Sequence, residues 1–197
     1  MIVLGLTGSI GMGKSAVAQM FRDSHVPVFD ADAEVHRLQA RDSELIGQIE
    51  ALFPGATGPA GVNRRELGRR VLNDPQALRR LTDIVHPAVA ASRRRFLHRH
   101  RFRPLVVLDV PLLFETGGNR HVDAVAVVSA PFIVQRRRVL RRPGMTQRRF
   151  LSVLRLQMPD ARKRRMADFI IPTGCPLHQT RAAVGRIICR FLRSPCP

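Results

Sequence analysis

Five short, mainly apolar runs punctuate the chain: Ile2–Leu6, Val26–Phe29, Leu105–Asp109, Ala124–Val128 and Ala167–Pro172. Short apolar runs bounded by turn residues predict strands covered on both faces, as in a parallel sheet. Between them, apolar positions recur at helical spacing. The first predicted helix covers Ser15–Arg22, with Ala16, Met20 and Phe21 on one face. A short helix follows over Ala33–Leu38. After the turn-rich stretch Pro54–Gly61, Asn63–Leu72 predicts an amphipathic helix with Leu67, Val71 and Leu72 inward. Asn73-Asp74-Pro75 breaks it and starts another, which carries Leu78, Leu81, Ile84 and Val85 and is expected to end near His86-Pro87. Later come a helix over Phe132–Leu140, a second from Thr146 carrying Phe150, Val153, Leu154 and Met158, and a last one over Leu177–Leu192 with Ala183, Ile187, Ile188 and Phe191 inward. Arg193–Pro197 is expected to fray. The order of elements predicts an α/β fold: a parallel sheet flanked by helices, with helical excursions over about 33–100 and 136–165.

Bulk properties narrow the class. The length, 197 residues, suits one domain or a core carrying inserted lobes. No stretch approaches the ~20 apolar residues of a membrane span, so no membrane partner is expected. The chain enters its first strand at once, and no secretory leader is expected. Cys175, Cys189 and Cys196 lack metal-ligand spacing and are expected as free thiols in a reducing cytoplasm. The net charge is +18, and Lys14 and Lys163 are the only lysines among 33 basic residues, leaving 31 arginines. Such a charge fits a polyanionic partner: nucleotides, a polyphosphorylated substrate or nucleic acid. It also fits a bias toward arginine spread over solvated faces, the reading favoured for most of these residues. The same bias makes Lys14 informative, because a compact ammonium stands where a planar guanidinium would have been the default.

Lys14 belongs to Gly8-Ser9-Ile10-Gly11-Met12-Gly13-Lys14-Ser15, which matches the phosphate-binding loop G-x-x-x-x-G-K-[ST] between a predicted strand and a predicted helix. The glycines let backbone N–H groups converge on anionic oxygens, and the helix adds the positive end of its dipole. Lys14 can reach the terminal phosphates of ATP, and the Ser15 hydroxyl can hold magnesium. The second strand ends in Asp30-Ala31-Asp32, where open α/β sheets bind ligands. Either aspartate could simply cap the next helix; beside a phosphate loop, Asp32 is the better candidate for meeting a substrate hydroxyl. Asp109 closes the third strand and is a further candidate to support magnesium. Arg136, Arg137, Arg138, Arg141 and Arg142 lie on a helical hairpin. They form either a solvated basic face or a lid that brings guanidinium groups onto the transferring phosphoryl.

Taken in order, several pieces resemble the dephospho-coenzyme A kinase family over nearly the whole chain. They are Leu6–Ser15, Val28-Phe29-Asp30-Ala31-Asp32, Asn63–Gly68, His86-Pro87, Asp109–Gly117, Gln135 with Arg138 and Arg142, Gln157 with Lys163, and Ala167–Ile171. The resemblance implies a P-loop kinase fold, similar to nucleoside monophosphate kinases. A five-stranded parallel sheet would form one domain over 1–197, with its core at about 1–32, 101–135 and 166–197. A helical lobe for coenzyme A would occupy about 33–100, and a lid about 136–165. It implies transfer of the ATP γ-phosphate to the ribose 3′-hydroxyl of dephospho-coenzyme A, with ATP and magnesium as the cofactors. Asp32, Lys14 and Arg142 would be catalytic. Ile10, Gly11, Met12, Gly13, Lys14, Ser15, Ala16 and Arg138 would hold ATP. Asp32, Arg64, His86 and Leu112 would line the acceptor site. The chain departs from the family pattern at Ser9 and Met12, where small residues are usual, and at Pro143, where an acid often follows the lid arginine. A monomer or small homo-oligomer acting on small molecules in the cytoplasm is expected. The alternatives are a related small-molecule kinase with another acceptor and a basic nucleic-acid-binding module. Ten Phe with no Trp or Tyr leave the latter few rings for stacking on bases.

Overall fold

A computed structural model describes residues 1–40, 45–71 and 74–192. The elements in chain order are β1 (Ile2–Thr7), α1 (Lys14–Asp23), β2 (Val28–Asp30), α2 (Ala31–Leu38), α3 (Leu45–Leu52), β3 (Thr57–Gly58), β4 (Gly61–Val62), α4 (Arg64–Val71) and α5 (Pro75–Arg99). They continue with β5 (Leu105–Asp109), a 3-10 turn (Gly118–His121), β6 (Ala124–Ser129), α6 (Phe132–Leu140), α7 (Gln147–Leu156), α8 (Asp160–Arg165), β7 (Phe169–Pro172) and α9 (Leu177–Leu192). They group into two compact units. One is Met1–Phe29 with the chain from His100 onward, and the other is Asp30–Arg99.

The first unit is built on a five-stranded sheet of order β2-β5-β1-β6-β7. β1 lies in the middle, parallel to β5 on one side and β6 on the other. Its neighbours are in register so that Leu6 pairs with Asp109 and Thr7 with Val127. The apolar runs of β1, β5 and β6 are explained by helices or loops on both faces. Along β6, Ala124, Ala126 and Val128 join the cluster that holds Val17, Phe21 and Ile187 of α1 and α9. Val125 and Val127 point the other way, onto Leu113 and Phe114. In α1 the buried residues are Val17, Ala18, Met20 and Phe21, whereas Ala16 is exposed. The inward arc is therefore turned by one residue from the predicted face.

The Asp30–Arg99 unit has its own core of Leu38, Leu45, Ile49, Phe53, Leu67, Val71, Ala77 and Val85. A small antiparallel hairpin, β3–β4, occupies part of the predicted loop. α5 does not stop at His86-Pro87 but runs 25 residues through Pro87. Proline removes the N–H that would bond the carbonyl four residues earlier. Here that carbonyl belongs to exposed Asp83, while Val85 and Ser92 on the inner face keep the helix packed. Leu78, predicted inward, is 49% exposed. Leu72, Asn73, Cys196 and the Arg193–Pro197 tail lie outside the described residues. Cys175 is a free thiol as expected. Among the described residues no helix is long and apolar enough to cross a membrane.

Candidate active site

β1 delivers the chain to the Gly8–Gly13 loop at the carboxyl edge of the sheet, and α1 carries it away. Gly11 (φ +77°) and Gly13 (φ +89°) adopt left-handed backbone that other residues avoid. Gly13 is also the N-cap of α1, and no side chain caps that helix. Its positive end therefore remains available to an anion. Ser15 and Ala16 are exposed on the first turn. Of the three residues that depart from the family pattern, the two in the loop, Ser9 and Met12, are turned inward. Ser9 is 5% and Met12 3% exposed, and the Met12 sulfur accepts the Ala130 N–H at 3.1 Å.

Lys14 extends from the first position of α1 to an ion pair with Asp109. The β1–β5 register makes this contact, since Asp109 stands beside Leu6 at the end of the neighbouring strand. Asp109 is 1% exposed, so its charge requires the partner it has. Arg138, on the last turn of α6, donates to the Thr173 carbonyl at 2.7 Å and to its hydroxyl at 3.2 Å. Thr173 Oγ1 also donates to the Met12 carbonyl, at 2.5 Å. Arg138 is thus fixed against the loop beside Gly13, where a Cβ would lie 3.4 Å from its guanidinium. Arg142 is exposed in the turn after α6, next to exposed Pro143, and among the described residues no side-chain bond joins it to the loop. Leu112, in the segment after β5, is 40% exposed.

Further contacts tie the loop to residues with no obvious sequence signal. The Ile10 N–H donates to Gln157 Oε1 at 3.0 Å, and Gln135 Nε2 donates to the Ile10 carbonyl at 2.8 Å. The next N–H after Gln157, that of Met158, donates to Glu115 at 2.8 Å. Glu115 pairs with the fully buried Lys163 at 2.9 Å. Burial pushes the Glu115 carboxyl up, but the Lys163 ammonium and the Met158 N–H outweigh it and hold the group below the usual carboxylate range. In the sequence, a role for Gln157 and Lys163 is suggested only by the family resemblance. Thr173 and Glu115 had no role assigned, since polar side chains bonded to distant backbone leave no periodic pattern.

In the Asp30–Arg99 unit, Asp30 is the N-cap of α2 and accepts from the Ala33 N–H at 2.9 Å. Capping therefore accounts for Asp30. Asp32 lies in the first turn of α2 with its side chain exposed. Arg64 opens α4 and His86 lies on α5, both exposed. A cavity of about 690 Å³ is lined by Arg37, Arg94, Arg95 and Asp83 together with apolar residues such as Leu38 and Ile84. Among the described residues, no three His, Cys, Asp or Glu side chains cluster as a metal cage.

Comparison with known proteins bears on the family and the fold. The family model described as dephospho-CoA kinase matches residues 2–176. A dephospho-CoA kinase of Novosphingobium aromaticivorans is 57% identical over 99% of this chain and 96% of its own length. A Thermus thermophilus protein of known crystal structure superposes with a TM-score of 0.81 at 36% identity, covering 96% of this chain and 97% of that one. A shikimate kinase from Acinetobacter baumannii shares the fold at a TM-score of 0.54 and 18% identity, covering 98% of this chain and 94% of that one.

Proposed function

The chain belongs to the dephospho-CoA kinase family, and on that premise we propose how its residues divide the work of the reaction. The enzyme is an ATP-dependent phosphotransferase that moves the γ-phosphate of ATP to the ribose 3′-hydroxyl of dephospho-CoA, giving CoA and ADP. Little covalent chemistry falls to the protein in such a transfer; positioning and charge neutralisation lower the barrier. The loop from Ile10 to Ala16 and the Lys14 ammonium hold the ATP phosphates, through amides other than those of Ile10, Met12 and Ala16, which are bonded within the protein. The observation that carries this assignment is the uncapped start of α1 at Gly13, with Lys14 at its first position and Arg138 fixed beside it.

Asp32 orients or deprotonates the acceptor hydroxyl; its support is the match to the family carboxylate and an exposed side chain in the first turn of α2. Arg142 meets the transferring phosphoryl from the 136–165 lid. Arg64, His86 and Leu112 line the acceptor. The 33–100 lobe takes the remainder of dephospho-CoA, a reading supported by its cavity of apolar residues and arginines. Ser15 and Asp109 are the residues that would hold magnesium. Both offer hard oxygen donors, which this ion takes together with phosphate and water. When bound, magnesium supplies charge neutralisation at the phosphate oxygens.

An acceptor panel with ATP and magnesium tests the reading. Dephospho-CoA should be consumed in preference to AMP and shikimate; preference for either of the others would overturn it. Asp32→Asn should lose most turnover, by about 10²-fold or more, with unchanged binding of a labelled ATP. Near-normal turnover would remove Asp32 from the mechanism.

A further inference from the structure

We propose that Gln135 and Gln157 form a clamp on the phosphate loop that holds two successive peptide groups, Ser9–Ile10 and Ile10–Gly11, in the orientation ATP needs. Both are positioning residues, and the proposal rests on the loop being the ATP site. The Ile10 N–H is bound by Gln157 Oε1 at 3.0 Å and the Ile10 carbonyl by Gln135 Nε2 at 2.8 Å. The polarity of the backbone leaves each side-chain amide one orientation, because an N–H requires an acceptor and a carbonyl a donor.

Each jaw is anchored independently. Gln135 is 3% exposed, and its helix closes on the loop. A Cβ on Gly11 would lie 2.4 Å from Val139 Cγ2 and 3.0 Å from the Gln135 carbonyl oxygen. Gln157 is the C-cap of α7 in extended conformation. The peptide that follows it is held by Glu115, which in turn is held by buried Lys163. The segment 136–156 therefore hangs from the loop at both of its ends. Gly11 and Gly13 make the loop permissive, and an unclamped loop would sample many arrangements before its amides converged. The clamp removes part of that ordering cost from ATP binding.

The test uses the full chain. Gln157→Met and Gln135→Met remove the polar atoms at nearly constant length. In each, kcat/KM for ATP should fall about 5- to 100-fold, with KM for dephospho-CoA changed less than about twofold. Losses in melting temperature with kcat/KM for ATP kept within about twofold would overturn the proposal, since that is what a merely structural role predicts. A second pair separates hydrogen-bond polarity from added charge. Gln157→Glu keeps an acceptor for the Ile10 N–H, whereas Gln135→Glu sets a carboxylate oxygen against the Ile10 carbonyl. Affinity for an N-methylanthraniloyl-labelled ATP should fall at least about tenfold further in Gln135→Glu; equal losses would overturn the clamp. If Gln135→Glu does not fold, the methionine pair decides. The labelled ATP requires no acceptor. A parent enzyme inactive on dephospho-CoA, with variants still obeying this order, would refute the kinase reading and leave the clamp supported.

Discussion

Lys14 shows how one side chain can be legible where its neighbours are not. It occupies the place that the glycine spacing reserves for a phosphate-binding ammonium, and its partner in the structure is Asp109. Lys14→Ala should lower kcat/KM for ATP by about 10²-fold or more. Lys14→Arg should not restore it, because the planar guanidinium is larger and has a different donor geometry. Full activity of the arginine variant in steady-state kinetics would contradict this role. Asp30 is an instructive intermediate case: capping and chemistry were both open from the sequence, and its bond to the Ala33 N–H accounts for it as a cap. Thr173 could not be found from spacing at all. It bonds the Met12 carbonyl across 161 residues of chain, and a hydroxyl serving distant backbone has no local signature. Gln135, 125 residues from Ile10, is of the same kind.

Elements differ in how plainly they are written. Strands buried on both faces announce themselves as apolar runs, and the predicted bounds of β1, β5 and β6 match the structure to within a residue or two. β3 and β4, two residues each, are too short to carry a period. The sequence predicts a stop for α5 near Pro87, because proline is a strong local stop, but packing along the rest of the helix overrides it. A proline inside a helix costs about 3 kcal/mol, partly offset by the entropy it removes from the unfolded chain. Pro87→Ala should therefore stabilise the protein by about 1–2 kcal/mol in urea unfolding; a loss of stability would show that α5 depends on the proline. The Glu115–Lys163 pair ties α8 to the segment after β5. Since the folded Glu115 carboxyl is depressed, the pair stabilises the fold fully above the unfolded value of about 4.3 and loses that contribution as pH falls through the folded value. Lys163→Met should cost about 1–3 kcal/mol near neutral pH, and its melting temperature should fall less steeply than the parent's below about pH 4. Parallel pH profiles for the two proteins would contradict the pairing.

At the scale of the whole molecule, charge and fold each leave the activity open. The +18 charge is mostly arginine and suits ATP and dephospho-CoA as well as nucleic acid. The fold is shared with a shikimate kinase, so the architecture alone does not choose an acceptor. The ordered set of short motifs made that choice legible, and the family match over residues 2–176 agrees with it. The central claim is therefore about where the phosphate goes. The most direct measurement is to supply γ-labelled ATP, magnesium and dephospho-CoA and to locate the label in the product by phosphorus NMR and mass spectrometry. The account predicts one labelled phosphomonoester on the ribose 3′-oxygen, with ADP formed in equal amount. Label in inorganic phosphate alone, or on any other position of the acceptor, would contradict it.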